Sequence, residues 1–245
     1  MTESLLAVCC DEQGSIGSAD KMSLLLECLK AEDAAVADRT NAMQCIRNIC
    51  RPAANSSLVG STHVVSALLD VVVNSAELGS SQYFALQALR SCAQNDPTVC
   101  AKKICERGES ALVLIVGAAV TFRVLRVAET GQSLTMHVEA TRLLAQLSRS
   151  SHMPFLKTLV SLSGYLPIFQ LLGGSKHAVL RSECAAAALA LAPLLALGWH
   201  DVSERNKEIV RSTMDRLIGD SEADVAAVAA QCASMISSSL VTESQ

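Results

Sequence analysis

The chain has 245 residues, half of them hydrophobic, only 3% aromatic and 18% charged, with a net charge of −4 and a pI near 5.7. Bulk disorder is excluded, because so much apolar surface can be buried, and so is the strongly basic face of a nucleic-acid binder. Ala and Leu dominate over β-branched and aromatic types, which predicts an all-α fold.

Apolar residues at helical spacing arrange the chain in pairs. The first pair is Lys21–Leu29 and Asp38–Cys50, with a polar connection in which Asp33 is placed to cap the second member and Pro52 ends it. The second begins at Gly60, with Val64–Val73 followed by Tyr83–Ala93. Val71-Val-Val73 would suit a strand, but Val64, Leu68, Leu69 and Val72 form a helical stripe. Asn95-Asp-Pro97 breaks the chain and starts a short linking helix through Cys105.

The third pair is expected to be one helix from Ser110 to Ala128, an extended loop from Glu129 to Thr135, and a partner from Val138 to Ser148. Arg123 and Arg126 then fall three apart at the end of an apolar helix, placed to bridge to the next unit or to engage an acidic partner segment. The fourth is Gly164-Tyr-Leu-Pro-Ile-Phe-Gln-Leu-Leu172 with Glu183–Ala192. Pro167 suits the first turn of a helix and Gly173-Gly174 terminates it. The fifth, Val202 to Ser239, is less regular.

When the second helices are aligned at Cys50, Ala93, Ser148, Ala192 and Ser237, successive spacings are 43, 55, 44 and 45 residues. Periods in the low forties indicate armadillo or HEAT units, stacked because no single helix pair can bury its own apolar face. The sequence then divides into an N-terminal segment 1–19, a repeat domain 20–237 and a polar tail 238–245.

Gly164–Leu172 resembles the opening of an armadillo repeat, where Gly, an apolar residue, Pro and two leucines start the middle helix. Asn41–Cys50 resembles the end of the third helix, with Asn48 at the familiar asparagine position. Ser91, Gln146 and Ala190 occupy that position in the following units. The resemblance implies a right-handed helical solenoid of four to five degenerate repeats that binds an extended peptide or protein along its concave groove, as a scaffold or adaptor. Regulation of a small GTPase or a chaperone through a solenoid surface is the alternative it implies.

A local pattern gives candidate binding residues. Gln44 and Asn48, Gln87 and Ser91, and Arg142 and Gln146 are polar pairs four apart within apolar helices, so each pair shares one helical face. Arg47 and Arg90 supplement this strip. Its expected role is contact with the partner; its plainer role is the solvated side of amphipathic helices.

No chemistry is expected. Gly14-Ser-Ile-Gly17 and Gly173-Gly174 lack the spacing and Lys-Ser/Thr of phosphate loops. There is no Cys-x-x-Cys pair and no His-Glu-x-x-His segment for zinc, and nothing positions a nucleophile with its base. No enzyme, metal or cofactor is therefore expected. Lys102, Lys103 and Arg107 lie among glutamates and read as a solvated helix end, not a nucleic-acid site. Ala111–Phe122 and Cys184–Trp199 are each shorter than the roughly 20 residues of a membrane span. Of ten cysteines, six lie inside apolar helical runs, which points to a reducing, cytoplasmic setting. The open ends of such an array would be available for self-association.

Overall fold

The computed structural model describes residues 19–31, 34–61, 63–73, 79–120, 124–126 and 133–242. They fall into two compact units, Met1–Leu143 and Leu144–Gln245.

The first unit contains α1 (Ala19–Lys30), α2 (Val36–Cys50), a 3-10 turn (Ala53–Asn55), α3 (Ser56–Ser61), α4 (Val64–Val73), α5 (Gly79–Asn95), α6 (Pro97–Arg107) and α7 (Glu109–Val120). Strands β1 (Val124–Arg126) and β2 (Ser133–Thr135) follow, then α8 (Met136–Leu147), within which the boundary falls. Helix α1 packs on α2 and α4 on α5, while α2 also packs on α5 and α1 on α4. Consecutive pairs thus stack in chain order, like helix on like. Helix α5 shows why: Ala85, Leu86, Ala88, Leu89, Cys92 and Ala93 are all buried, an i, i+3, i+4, i+7 pattern that gives it one broad apolar face. Facing it, Met43 and Ile46 of α2 are fully buried, each contributing about 1.5–3 kcal/mol by leaving water.

Helix ends are closed by side chains, since the last carbonyls of a helix lack intrahelical partners. After α2, Asn55 Nδ2 donates to the carbonyl of Ile49 at 2.9 Å, and Asn95 Nδ2 donates to the carbonyls of Cys50 and Pro52. Asp96 caps α6 by accepting from the Val99 amide at 2.9 Å, with Pro97 in the first turn. Gly108, at φ 99°, makes the corner into α7 that a side chain would strain.

The expected helix from Ser110 to Ala128 is shorter than its hydropathy suggested. It ends at Val120, and Val124–Arg126 pairs antiparallel with Ser133–Thr135, placing Leu125 opposite Leu134. Thr121, Phe122, Val124 and Val127 are β-branched or aromatic and favour strand, which outweighs apolar continuity. Arg126 is consequently a strand residue, and Arg123 lies outside the described residues, as does Asp33. The cap position before α2 is Ala35, with no side-chain hydrogen bond. Arg107 and Asp70 form an ion pair joining α6 to α4, and Lys103 pairs with Glu106 at 2.7 Å.

The second unit contains α9 (Met153–Ser161), a π-helical turn (Ile168–Leu172), α10 (Ala178–Leu197), a 3-10 turn (Trp199–Asp201), α11 (Glu204–Ile218) and α12 (Ala223–Thr242). Helix α10 packs on α12, α9 and the π turn, and α11 packs on α12 and the π turn. Phe155, Leu159, Tyr165, Phe169, Leu191 and Leu217 form the core, with Tyr165 and Phe169 edge to face at 6.2 Å. Trp199 is also buried, with the Arg211 guanidinium 5.7 Å from its ring centre.

Helix α9 was not expected. It closes with the Gly164 amide donating to the Leu159 carbonyl and the Ser163 amide to that of Val160, leaving Ser163 left-handed at φ 54°. Gly173 marks a close approach: a Cβ there would stand 2.6 Å from the Phe169 carbonyl and would collide with the Thr213 methyl of α11. The fifth pair is fully formed, α12 burying Val225, Ala229, Cys232 and Ile236 at helical spacing. Helix α10 spans 20 residues, beginning earlier than expected, so by length and composition it could cross a bilayer. Here it is the central packing element of its unit, with Pro193 in its last turns.

Candidate functional site

Helices α2, α5 and α8, the later members of the first three helix pairs, carry the candidate strip. On α2, Gln44 and Arg47 are half-buried and Asn48 is exposed; on α5, Gln87 and Arg90 are half-buried and Ser91 is buried. On α8, Arg142 is half-buried and Gln146 is buried. Because α2 packs directly on α5, two neighbouring helices bring their polar residues together.

They interlock across the helices. Arg47 Nη1 donates to Gln87 Oε1 at 2.9 Å, and its Nη2 and Nε reach Asn48 Oδ1 at 3.2 and 3.3 Å. Gln87 Nε2 then donates to the Tyr83 hydroxyl at 2.8 Å. Arg90 Nε donates to Glu139 Oε2 of α8 at 2.8 Å, a mostly buried ion pair. Ser91 Oγ turns back to the Gln87 carbonyl at 3.3 Å and so satisfies its own helix. In the second unit, Gln146 Oε1 accepts from Arg149 Nη1 at 3.2 Å.

Two residues of this network were missing from the expected set. Tyr83 lies one turn before Gln87 and Glu139 lies three residues before Arg142, so both occupy the faces already singled out. Burial pushes the Tyr83 phenol above its usual range, and the Glu139 carboxylate raises it further, against the smaller opposing effect of Arg47 and Arg90. Tyr83 is therefore a neutral hydroxyl, able to donate onward while accepting from Gln87. The arrangement can present fixed amide, hydroxyl and guanidinium groups to a polar backbone. It contains no nucleophile paired with a base.

The described cysteines are mostly buried. Cys50, Cys92 and Cys100 are buried together, and Cys92 is held well above the ordinary thiol range by its contact with Cys50 and by burial. Burial likewise pushes Cys184 up to about 12 and Cys232 to about 11. Cys92, Cys184 and Cys232 therefore remain protonated thiols, unlike reactive cysteines. Cys45 is disulfide-bonded. Among the described residues, no group of three or more His, Cys, Asp or Glu side chains is placed to hold a metal ion.

No family model matches the chain, and neither does any curated protein sequence. Solved structures do. A designed armadillo repeat protein in complex with the peptide (KR)4 aligns over 96% of this chain and 92% of its own, with TM-score 0.64 and 15% identity. A second structure, of computationally designed armadillo repeat proteins for modular peptide recognition, covers 88% of this chain and 82% of its own at TM-score 0.62 and 17% identity. An engineered protein matches at TM-score 0.64 and 18% identity, over 96% and 88%. The fold is that of armadillo-repeat structures, an all-α solenoid, carried by repeats too degenerate for a family model to match.

Proposed function

We propose that this chain is a non-catalytic interaction scaffold that holds an extended peptide segment of a protein partner along its third-helix faces. The observation that carries the reading is the linked polar strip on α2 and α5, where Arg47, Asn48, Gln87 and Tyr83 form one hydrogen-bonded surface that is not buried. Such prealigned groups suit a peptide backbone, because they need little further ordering on binding. Two structural neighbours being designed peptide binders supports the same reading.

Within this reading, Gln44, Arg47, Asn48 and Gln87 contact the partner, with Arg142 continuing the surface. Arg90 and Ser91, each bonded within the first unit, hold that surface in shape, while Gln146 of the second unit accepts from Arg149. Neither nucleic acid nor membrane insertion is part of the proposal. A cytoplasmic setting is, on the strength of seven unpaired thiols among the described residues; the disulfide at Cys45 bears against it.

Selection from a random peptide library displayed on phage provides the test. The wild-type chain is expected to enrich a peptide family, and the variant Gln44→Ala/Asn48→Ala/Gln87→Ala/Arg142→Ala is expected to bind those peptides at least tenfold more weakly while melting within a few degrees. Equal capture by both proteins would remove the strip from the site.

A further inference from the structure

The second unit lacks the polar pairs of the first. Where α2 places Gln44 and Asn48, the corresponding turns of α10 place Ala186 and Ala190. Between α10 and α12 this leaves an open groove of about 380 Å3, at the lower end of the roughly 300–1,000 Å3 typical of ligand clefts. Its walls are Ala186, Leu189 and Ala190 of α10 and Val225 and Val228 of α12. All but Val225 are half-exposed, so they face the groove and not the core.

Two charges line it as well: Arg149, which follows α8, and Asp224, in the first turn of α12. Both are exposed, and neither has an oppositely charged partner among the described residues. Asp224 suits a helix N-terminus on electrostatic grounds alone. That preference does not account for a guanidinium lining the same apolar groove.

We propose that this groove seats one bulky apolar side chain, Leu or Phe, of the bound peptide, with an acidic residue on one side of it meeting Arg149 and a basic residue on the other meeting Asp224. The proposal rests on the peptide-scaffold reading above and gives it a sequence preference. Full burial of such an anchor corresponds to about ten- to a hundredfold in affinity. The opposed charges set the direction in which the peptide runs, because the reversed order places like charges together.

The probes are fluorescein-labelled 11-residue peptides with a central Phe, Leu or Ala. Each has one Glu and one Lys two to four positions away on opposite sides, in both orders, and binding is read by anisotropy. One order with Phe or Leu is expected to bind the wild-type chain at least tenfold more tightly than its Ala counterpart. Ala186→Leu/Ala190→Leu, which fills the groove with good helix formers, is expected to erase that difference without lowering the melting temperature. Arg149→Glu/Asp224→Lys is expected to favour the opposite order. Equal binding of Phe, Leu and Ala peptides, a preference that survives the filled groove, or no binding of any probe would each overturn the proposal. The scaffold reading stands or falls separately, on library selection with the strip variant in the first unit.

Discussion

At the scale of single residues, the clearest electrostatic feature is the pair formed by Arg181 of α10 and Asp220, which follows α11. The guanidinium donates from Nη2 to Asp220 Oδ1 at 2.9 Å and from Nε to Oδ2, a two-pronged contact, and Arg181 also reaches the carbonyls of Ser175 and Lys176. The hydrogen bond from Arg181 holds the Asp220 carboxyl down to about 2, helped by the Glu222 amide. A depressed folded-state value favours the ionised native form, so this stabilisation is complete above the ordinary aspartate range of about 4 and disappears as pH falls through about 2. Asp220→Asn should therefore lower the denaturation midpoint at pH 7, and its deficit relative to wild type should shrink steadily between pH 4 and pH 2. A deficit constant across that interval would mean that the carboxylate charge is not what holds α10 to the α11 terminus. Sequence spacing gave no sign of this pair, because its members lie 39 residues apart. The reverse happened with Arg90: its helical face was legible, but its engagement by Glu139 was not.

At the scale of elements, the second and third helices were legible, because Ala, Leu and Cys recur at the spacing of one buried face. Among the first helices only α6 was, announced by Asn95-Asp-Pro97; α3 and α9 were not. Helix α9 has only nine residues and begins Met153-Pro154, so too few turns accumulate a periodic signal. The end of α7 was misplaced for the opposite reason: an apolar run continues through residues whose branching favours a strand. Gly173 illustrates packing that a sequence reads only in part. Its expected role was to end a helix; its position also lets the π turn lie directly against α11. Gly173→Ala should cost about 1–3 kcal/mol in chemical denaturation, because the backbone of Phe169 cannot yield to the new methyl as a flexible side chain could. A loss below a few tenths would show that α11 can retreat without penalty.

At the scale of the whole molecule, the repeat period carried the fold. Spacings of 43, 44 and 45 residues survive although no family model matches the chain, because burying one helix pair against the next constrains residue size and spacing more than identity. The longer spacing of 55 is occupied in part by β1 and β2, between α7 and α8. Partner chemistry is written less plainly, since a half-buried polar side chain serves equally as solvated surface and as binding surface. On α2 and α5, the bonds from Arg47 to Gln87 and Asn48 and from Gln87 to Tyr83 join polar residues of two helices. The direct measurement is amide hydrogen–deuterium exchange on the wild-type chain, with and without a library-selected peptide. Slowed exchange concentrated in α2 and α5 is the expected result. Protection confined to α1, α4 or α7, with α2 and α5 unchanged, would contradict the claim that the third helices form the binding face.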